Sequence, residues 1–302
     1  MIAIRDDIVR TCFICGEVLT PANRSDEHFV PKWFPRTATE RLRMRLANGS
    51  TARPRNLRVP CCRDCNGAFA DIEDRTSRAM RQGPGSVREL DRRDTAAWVA
   101  KALWGFAVFE SRARSERHDP LSGPILRPEK LSFLAPLERV CQEWLAGMAT
   151  GPGSLHTFHA QHDHGDDVDY VDDPPAGLLG IRLGPSAVIF SAVDHGDAER
   201  LSRHTLVDLG FLPVFTDLKD LALGPIQFRE VFAWARTLHR SRAPFPPPGQ
   251  PFGPYIASVH KDHLRQAIGV LPAFEGRDVG GTTFLFEQDM TPRFVSISQT
   301  RE

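Results

Sequence analysis

The stretch NLRVPCCRDCNG (residues 56–67) contains a C-x-x-C pair, Cys62 and Cys65. A second such pair, Cys12 and Cys15, lies upstream in CFICG, and 46 residues separate the two pairs. Two C-x-x-C pairs can surround one zinc ion tetrahedrally, because each pair presents two sulfur ligands. The sequence therefore predicts a structural zinc site formed by these four cysteines, with a long insertion between its two halves.

The two remaining cysteines have simpler interpretations. Cys61 could replace Cys62 in a C-x-x-x-C pair, but the two-residue spacing suits a zinc knuckle better. We therefore expect Cys61 to be a buried or half-buried thiol. Cys141 falls on an apolar helical face and is expected in the core.

The sequence predicts a cytoplasmic protein without a membrane segment. The N-terminal stretch MIAIRDDIVR has no apolar core of signal-peptide length. The most apolar run, residues 96–109, is too short to span a bilayer and contains Lys101. In that compartment clustered cysteines favour a metal site over disulfides.

Charge is unevenly distributed along the 302 residues, although the formal net charge is zero. Residues 1–118 hold 22 Lys and Arg against 15 Asp and Glu, and residues 119–302 hold 16 against 23. Residues 36–58 alone carry seven arginines and one acid. A basic N-terminal part can meet phosphates, although such a run can also be a solvated basic loop.

The residues between the cysteine pairs resemble the HNH endonuclease family. The resemblance is carried by EHFVP (27–31), by NLRV (56–59) and by Asn66 directly after the second C-x-x-C pair. It covers about residues 10–80, a quarter of the chain. Many family members have a histidine where Asn66 stands here, so this chain is an H-N-N version.

The resemblance implies a ββα-metal fold and a divalent ion, Mg²⁺ or Mn²⁺. By position, Glu27 and Asn66 would hold that ion and His28 would be the general base. Asn56 would orient the imidazole through its side-chain carbonyl. Since side chains alternate along a regular strand, Glu27 and His28 can converge only if the backbone bends there.

This residue set suits phosphodiester hydrolysis. A neutral imidazole can take a proton from water, and a hard ion with oxygen ligands can stabilise the leaving oxygen. Arginine binds phosphate through its planar fork, so we expect Arg53, Arg55 and Arg58 to contact a nucleic-acid backbone, most plausibly DNA.

Three further features have alternative interpretations. Asp26 is either a second ion ligand or a residue of a local turn. Glu73 either supports the site from two helical turns beyond Asn66 or pairs with an arginine such as Arg75. The histidine-rich stretch 156–170 is expected to be a polar loop, with a second metal site as the alternative.

The rest of the chain predicts an α+β protein. Helices are expected over residues 87–117, about 128–149 and 227–242, and a polyproline-like connector over 243–254. Short segments rich in branched and aromatic residues predict strands at residues 178–183, 187–193, 211–215, 282–286 and 293–298. We expect a mixed α+β domain whose sheet is antiparallel.

The predicted organisation is a zinc-stapled ββα-metal module (1–82), a helical connector (83–150) and an α+β domain of unknown role (151–302). The predicted function is a metal-dependent endonuclease. Two alternatives stay open: an HNH-like scaffold that acts on a small molecule, and a non-catalytic zinc-dependent module that binds nucleic acid or a partner. Oligomeric state cannot be read from the sequence.

Overall fold

The structure is a computed structural model. It describes residues 10–35, 42–116, 118–119, 121–148, 150–161, 168–196, 199, 222–240, 278–279, 282–283 and 294–296. Its strands are β1 (Arg24–His28), β2 (Leu42–Arg45), β3 (Thr51–Ala52), β4 (Arg58–Cys62), β5 (Leu155–Ala160), β6 (Val168–Asp173), β7 (Leu178–Leu183), β8 (Ser186–Ser191), β9 (Ala222–Leu223), β10 (Asp278–Val279), β11 (Thr282–Thr283) and β12 (Phe294–Ser296). Its α-helices are α1 (Arg63–Gln82), α2 (Pro84–Arg88), α3 (Arg92–Arg112), α4 (Pro128–Ser132), α5 (Ala135–Leu145) and α6 (Pro225–Arg240), and short 3₁₀ turns occur at Pro54–Asn56 and Pro174–Ala176.

The N-terminal part is a strand pair followed directly by a helix. β1 and β4 pair antiparallel, with Glu27 opposite Val59 and His28 opposite Arg58. α1 begins at the next residue, and the Cys62 sulfur caps it by accepting a hydrogen bond from the Cys65 backbone N–H at 3.3 Å. Two strands and a helix in this order agree with the expected local arrangement, while membership of the HNH family stays a prediction.

The helical region is more divided than the sequence suggested. The predicted helix 87–117 is the short α2 followed by α3, because the Asp91 side chain accepts hydrogen bonds from the Arg93 and Asp94 backbone N–H groups and starts a new helix. The predicted helix 128–149 is likewise α4 and α5. Pro136 lies in the first turn of α5, where its missing N–H costs no hydrogen bond.

α3 is buried on all sides over most of its length, including both of its tryptophans, Trp98 and Trp104. It packs very closely against the segment after β1, since a Cβ built on Gly105 would lie 2.5 Å from the Phe29 Cβ. The Trp104 indole N–H also donates to the Phe13 carbonyl at 2.7 Å. These contacts fix α3 against both the first cysteine pair and β1.

The C-terminal sheet has five strands in the order β6-β7-β8-β5-β9. The predicted antiparallel sheet is correct for three of its four strand pairs, but the β5–β9 pair is parallel. The predicted strand 178–183 is β7, the predicted strand 187–193 is β8, and the predicted helix 227–242 is α6. Parts of the strands predicted at 282–286 and 293–298 are described as β11 and β12, whereas 211–215 and the connector 243–254 lie outside the described residues.

The predicted polar loop over 156–170 is wrong where the structure describes it. Residues 155–160 form the interior strand β5, residues 168–170 belong to the edge strand β6, and the His156 side chain is buried. Residues 162–167, with His162 and His164 of the alternative metal site, lie outside the described residues. The acidic residues misled the prediction because their charge is neutralised inside the fold: Asp169 accepts from Arg182 at 2.6 Å and from Arg229 at 2.8 Å.

One cluster of buried apolar side chains runs through all three predicted regions. Its members include Cys12, Phe29, Phe69, Trp98, Phe106, Leu137, Cys141, Tyr170, Leu179 and Phe190. Cys141 is fully buried, as expected. β12 also pairs with β2, so a strand from near the end of the chain joins the N-terminal part. Among the described residues, no helix is long and apolar enough to cross a membrane.

Candidate functional site

The four predicted cysteines come together. The ligand atoms of Cys12, Cys15, Cys62 and Cys65 all lie within 4.8 Å of one another. The Cys15 and Cys62 sulfurs are 3.8 Å apart, which is close to the edge of a tetrahedron with metal–sulfur bonds of about 2.3 Å. This four-cysteine cluster can therefore hold a structural metal ion such as zinc.

The surrounding backbone is shaped for such a cluster. Gly16 has a left-handed φ of 73° and donates its N–H to the Cys12 carbonyl at 3.0 Å, which closes the first knuckle. Hydrogen bonds from Cys61 and Cys65 hold the pKa of the Cys12 thiol well below its usual range. Cys61 is buried beside the cluster, with its sulfur 3.8 Å from that of Cys12, but it is not one of the four grouped ligands.

The strand β1 is regular, so its side chains divide between two faces. Glu27 faces the helices and is 5% exposed. His28, its neighbour, is half-buried on the opposite face, across from Arg58. The structure therefore does not bend the backbone to bring Glu27 and His28 onto one face.

Glu27 belongs to a buried charge triad with Glu73 of α1 and Lys101 of α3. The Lys101 ammonium is 2.7 Å from the Glu27 Oε1 and also contacts the Glu73 Oε1. It lies 5.2 Å from the centre of the Phe69 ring. Lys101 is 1% exposed, so its charge depends on these partners.

The triad carries one excess negative charge when all three groups are ionised. Burial raises the pKa of the Glu27 carboxyl, and the nearby Lys101 ammonium opposes this shift. For Lys101, burial acts to lower the pKa, but the two glutamates outweigh it and the net direction is upward. The ammonium therefore stays charged.

Asn66 lies on the same face of the strand pair as Glu27. Its side-chain N–H donates to the Ser25 Oγ at 2.7 Å, and Ser25 precedes Glu27 by one alternation of the strand. The amide oxygen of Asn66 is the atom that could bind an ion. Lys101 uses one oxygen of Glu27, Oε1, and leaves Oε2 as the second candidate ligand.

His28 provides a neutral imidazole. Burial lowers its pKa to about 4, with help from the positive charges of Lys32 and Arg58, while the Arg55 carbonyl acts in the opposite direction. Its Nδ1 is buried and has no hydrogen-bond partner among the described residues. This nitrogen has a free lone pair that can accept a proton, and it does so when the residues around it open enough to admit a water molecule.

Among the described residues, the Asn56 side chain makes no hydrogen bond to His28. Asn56 is exposed at the end of a 3₁₀ turn, and its side chain makes no hydrogen bond among the described residues. The predicted phosphate-binding residues Arg53, Arg55 and Arg58 are also exposed, and Arg58 Nε donates to the Arg55 carbonyl at 3.1 Å.

A groove of about 420 Å³ runs beside the outer face of the β1–β4 pair. We call it the arginine groove, and it is lined by Arg24, Asp26, Arg58, Val59, Pro60, Phe109, Arg112 and Ala113. Asp26 therefore faces the groove from within a strand and pairs with Arg24 at 3.7 Å, rather than forming a turn. His28 lies on this same face, one alternation beyond Asp26.

Two important residues were missed by sequence reasoning. Lys101 was noted only as a charge within an apolar run, although a lysine in a fully buried helix is itself a sign of acidic partners. Of the two interpretations of Glu73, the pairing with Arg75 is not observed, since Arg75 pairs with Asp94 at 2.6 Å and Glu73 contacts Lys101 beside Glu27. Arg112 gave no local signal, since its position in the groove depends on how α3 packs.

No family model, curated protein or solved structure matches this chain. The functional inference therefore depends on the geometry of these residues and on the local resemblance.

Proposed function

We propose that this protein is an HNH-like endonuclease that hydrolyses phosphodiester bonds, with His28 as the general base. The observation that carries the proposal is the His28 imidazole, which has an unpaired buried Nδ1 and lies on the face of β1 that borders the arginine groove. A general base needs a free nitrogen within reach of the attacking water, and the substrate needs cations beside it.

In this proposal the arginines orient the scissile phosphate and His28 takes a proton from the attacking water. Burial, together with the positive charges of Lys32 and Arg58, lowers the pKa of His28 and keeps the imidazole neutral before substrate binds, so it starts in the basic form. A bound phosphate would add negative charge beside the ring and would favour the imidazolium that forms when the proton is taken. The cation-rich surroundings therefore serve both binding and catalysis.

The divalent ion of the proposal would be held by Glu27 and Asn66. Glu27 Oε2 and the Asn66 amide oxygen are hard oxygen ligands on one face of β1, and the excess negative charge of the triad attracts a cation. When bound, Mg²⁺ or Mn²⁺ would supply charge stabilisation for a phosphoryl group and its leaving oxygen. Because the regular β1 puts Glu27 on the face away from His28 and the arginine groove, this role requires β1 to bend when substrate binds. The four-cysteine cluster would hold zinc and fix the two strands.

A second candidate function is nucleic-acid binding without cleavage. The ion pair between Lys101 and Glu27 favours this second function, because the Lys101 ammonium competes with a divalent ion for the Glu27 carboxylate. This alternative keeps the arginine groove and the four-cysteine cluster but needs no chemistry at His28.

Plasmid nicking separates the two functions. Supercoiled DNA is incubated with Mg²⁺ or Mn²⁺ and with the wild type, His28→Ala, or the control His118→Ala, which changes an exposed histidine. The nuclease proposal expects nicking by the wild type and by His118→Ala, and a loss of about 100-fold or more for His28→Ala. If the wild type does not nick DNA with either metal, the nuclease proposal is rejected in favour of nucleic-acid binding without cleavage.

A further inference from the structure

The arginine groove contains a cation that the fold itself does not neutralise. Arg112, at the C-terminal end of α3, lines the groove and is half-buried. Among the described residues it has no hydrogen-bond or ion-pair partner. Burial lowers the pKa of its guanidinium and the nearby charge of Arg24 adds to this effect, while the Asp26 carboxylate opposes it without outweighing it. A half-buried, unpaired guanidinium costs stability, so its retention is typical of a site that receives an anion.

Most of the charged side chains around Arg112 are positive, like Arg112 itself. Arg24 and Arg58 also line the groove, against the single carboxylate of Asp26. That carboxylate is 3.7 Å from Arg24, and both side chains of this pair are 48% exposed, so solvent weakens their attraction. The groove therefore keeps a net positive charge of about two, which suits a phosphate group or a neighbouring pair of phosphates.

Part of the groove lining is apolar. Phe109 on α3 and Val59 and Pro60 on β4 supply it. The Phe109 ring is packed against Phe29, with ring centres 5.9 Å apart, and is only partly buried. An apolar wall beside arginines suits a ligand that has a charged backbone and less polar sugar or base surfaces, rather than an isolated inorganic anion.

We propose that the arginine groove binds the phosphodiester backbone of a nucleic-acid strand next to the His28 imidazole, with Arg112 as its central phosphate-binding residue. The proposal rests on the proposed function for the identity of the polymer. It adds that the binding surface includes α3, which lies outside the HNH-like residues, and that Arg24 and Arg112 contribute to it together with Arg58. The strand enters along the face that His28 shares with Asp26.

Binding is measured in a His28→Ala background, so that cleavage does not interfere. Fluorescence anisotropy follows labelled single-stranded and duplex oligonucleotides over a series of NaCl concentrations. Arg112→Gln is compared with Arg93→Gln, which removes an exposed arginine from the same helix about 28 Å away along its axis. Arg112→Lys tests whether charge alone is sufficient, because lysine lacks the planar fork.

We expect Arg112→Gln to weaken binding about tenfold and to lower the slope of log K against log salt by about one, because one phosphate contact is lost. Arg24→Gln is expected to act in the same direction, and Arg112→Lys to lie between the wild type and Arg112→Gln. Arg93→Gln should stay within about twofold of the parent, since it lies far from the groove. If Arg112→Gln fails to fold, Arg24→Gln takes its place in the comparison with Arg93→Gln, and the same tenfold loss of affinity is expected. The Arg24 side chain is half exposed, so its substitution should not disturb folding.

Equal affinities of Arg112→Gln and Arg93→Gln would overturn the proposal, as would displacement of the oligonucleotide by a polyglutamate peptide of equal charge at the same concentration. The outcome is separable from that of the proposed function. If binding depends on Arg112 but the wild type does not nick DNA, the binding proposal is supported and the nuclease proposal is rejected. If the wild type nicks DNA but its affinity is unchanged by Arg112→Gln, the nuclease proposal is supported and the binding proposal is rejected.

Discussion

Replacing Lys101 by methionine tests whether the buried charge triad holds β1, α1 and α3 together. Methionine keeps most of the length of the side chain but removes the ammonium, which leaves Glu27 and Glu73 without their shared cation. Both glutamates contact Lys101 from other elements, 74 and 28 residues away in the sequence. The substitution therefore acts on the tertiary arrangement and not on the helix propensity of α3.

The expected loss of stability is large. Removing one partner from a buried ion pair typically costs about 3–5 kcal/mol, because the remaining charge stays in a low-dielectric environment. Two carboxylates would then also repel each other. Since small proteins are stable by about 5–15 kcal/mol, a loss of this size is a substantial part of the total.

The loss should depend on pH in a defined direction. Burial already raises the pKa of Glu27, and Lys101 opposes that shift, so without Lys101 the carboxyl binds a proton more readily. Once protonated, Glu27 no longer carries the buried charge that makes the variant unstable. The destabilisation by Lys101→Met should therefore be largest near pH 8 and smaller near pH 5.

Urea unfolding at pH 8 and pH 5, in zinc-containing buffer without other divalent ions, measures this difference. Lys130→Met changes an exposed lysine of α4 and should cost no more than about 0.5 kcal/mol. A double-mutant cycle with Glu27→Gln should give a coupling energy of about 1–3 kcal/mol. A cost below about 1 kcal/mol at pH 8, or the same cost at both pH values, would refute this account of the triad.

The remaining predictions concern the cysteine cluster, the base and the packing of α3. Cys12→Ser should lose the bound zinc that the wild type retains at about one ion per chain, as measured by atomic emission; full zinc retention would contradict the four-cysteine site. The nicking rate should rise as His28 loses its proton through pH about 4 and then stay level to neutral pH, because burial and nearby cations lower the pKa of His28; a rate that still climbs between pH 6 and 8 would contradict this. Gly105→Ala should lower the melting temperature, since the added Cβ would lie 2.5 Å from the Phe29 Cβ, whereas Gly123→Ala, which meets no atom within 4 Å, should not; equal melting temperatures of the two variants would refute the close contact.

Local patterns predicted the parts of the structure that depend on neighbouring residues. The two C-x-x-C pairs predicted the four-cysteine cluster, because ligand type and spacing define such a site. Branched and aromatic runs likewise predicted β7 and β8. The resemblance, by contrast, placed Glu27 and His28 in one site, which needed a bend in β1, and the regular strand puts them on opposite faces.

What sequence reasoning missed depends on contacts between distant residues. The strand at 155–160 was not predicted because its histidines and the acids that follow it are typical of a polar loop. Asp169 is neutralised by Arg182 and Arg229, and these contacts form only when the sheet and α6 pack together. Lys101 stood out within an apolar run, but nothing local connected it with Glu27. Arg112 likewise reaches the groove only because α3 packs beside β1 and β4.

The central claim is that His28 is the base of a phosphodiesterase, and the nicking rate of the wild type relative to His28→Ala tests it most directly. With Mg²⁺ or Mn²⁺ present and both proteins showing the same zinc content and melting temperature, the account predicts wild-type nicking that is at least about 100-fold faster. Equal rates for the two proteins, or no nicking by the wild type with either metal, would contradict it.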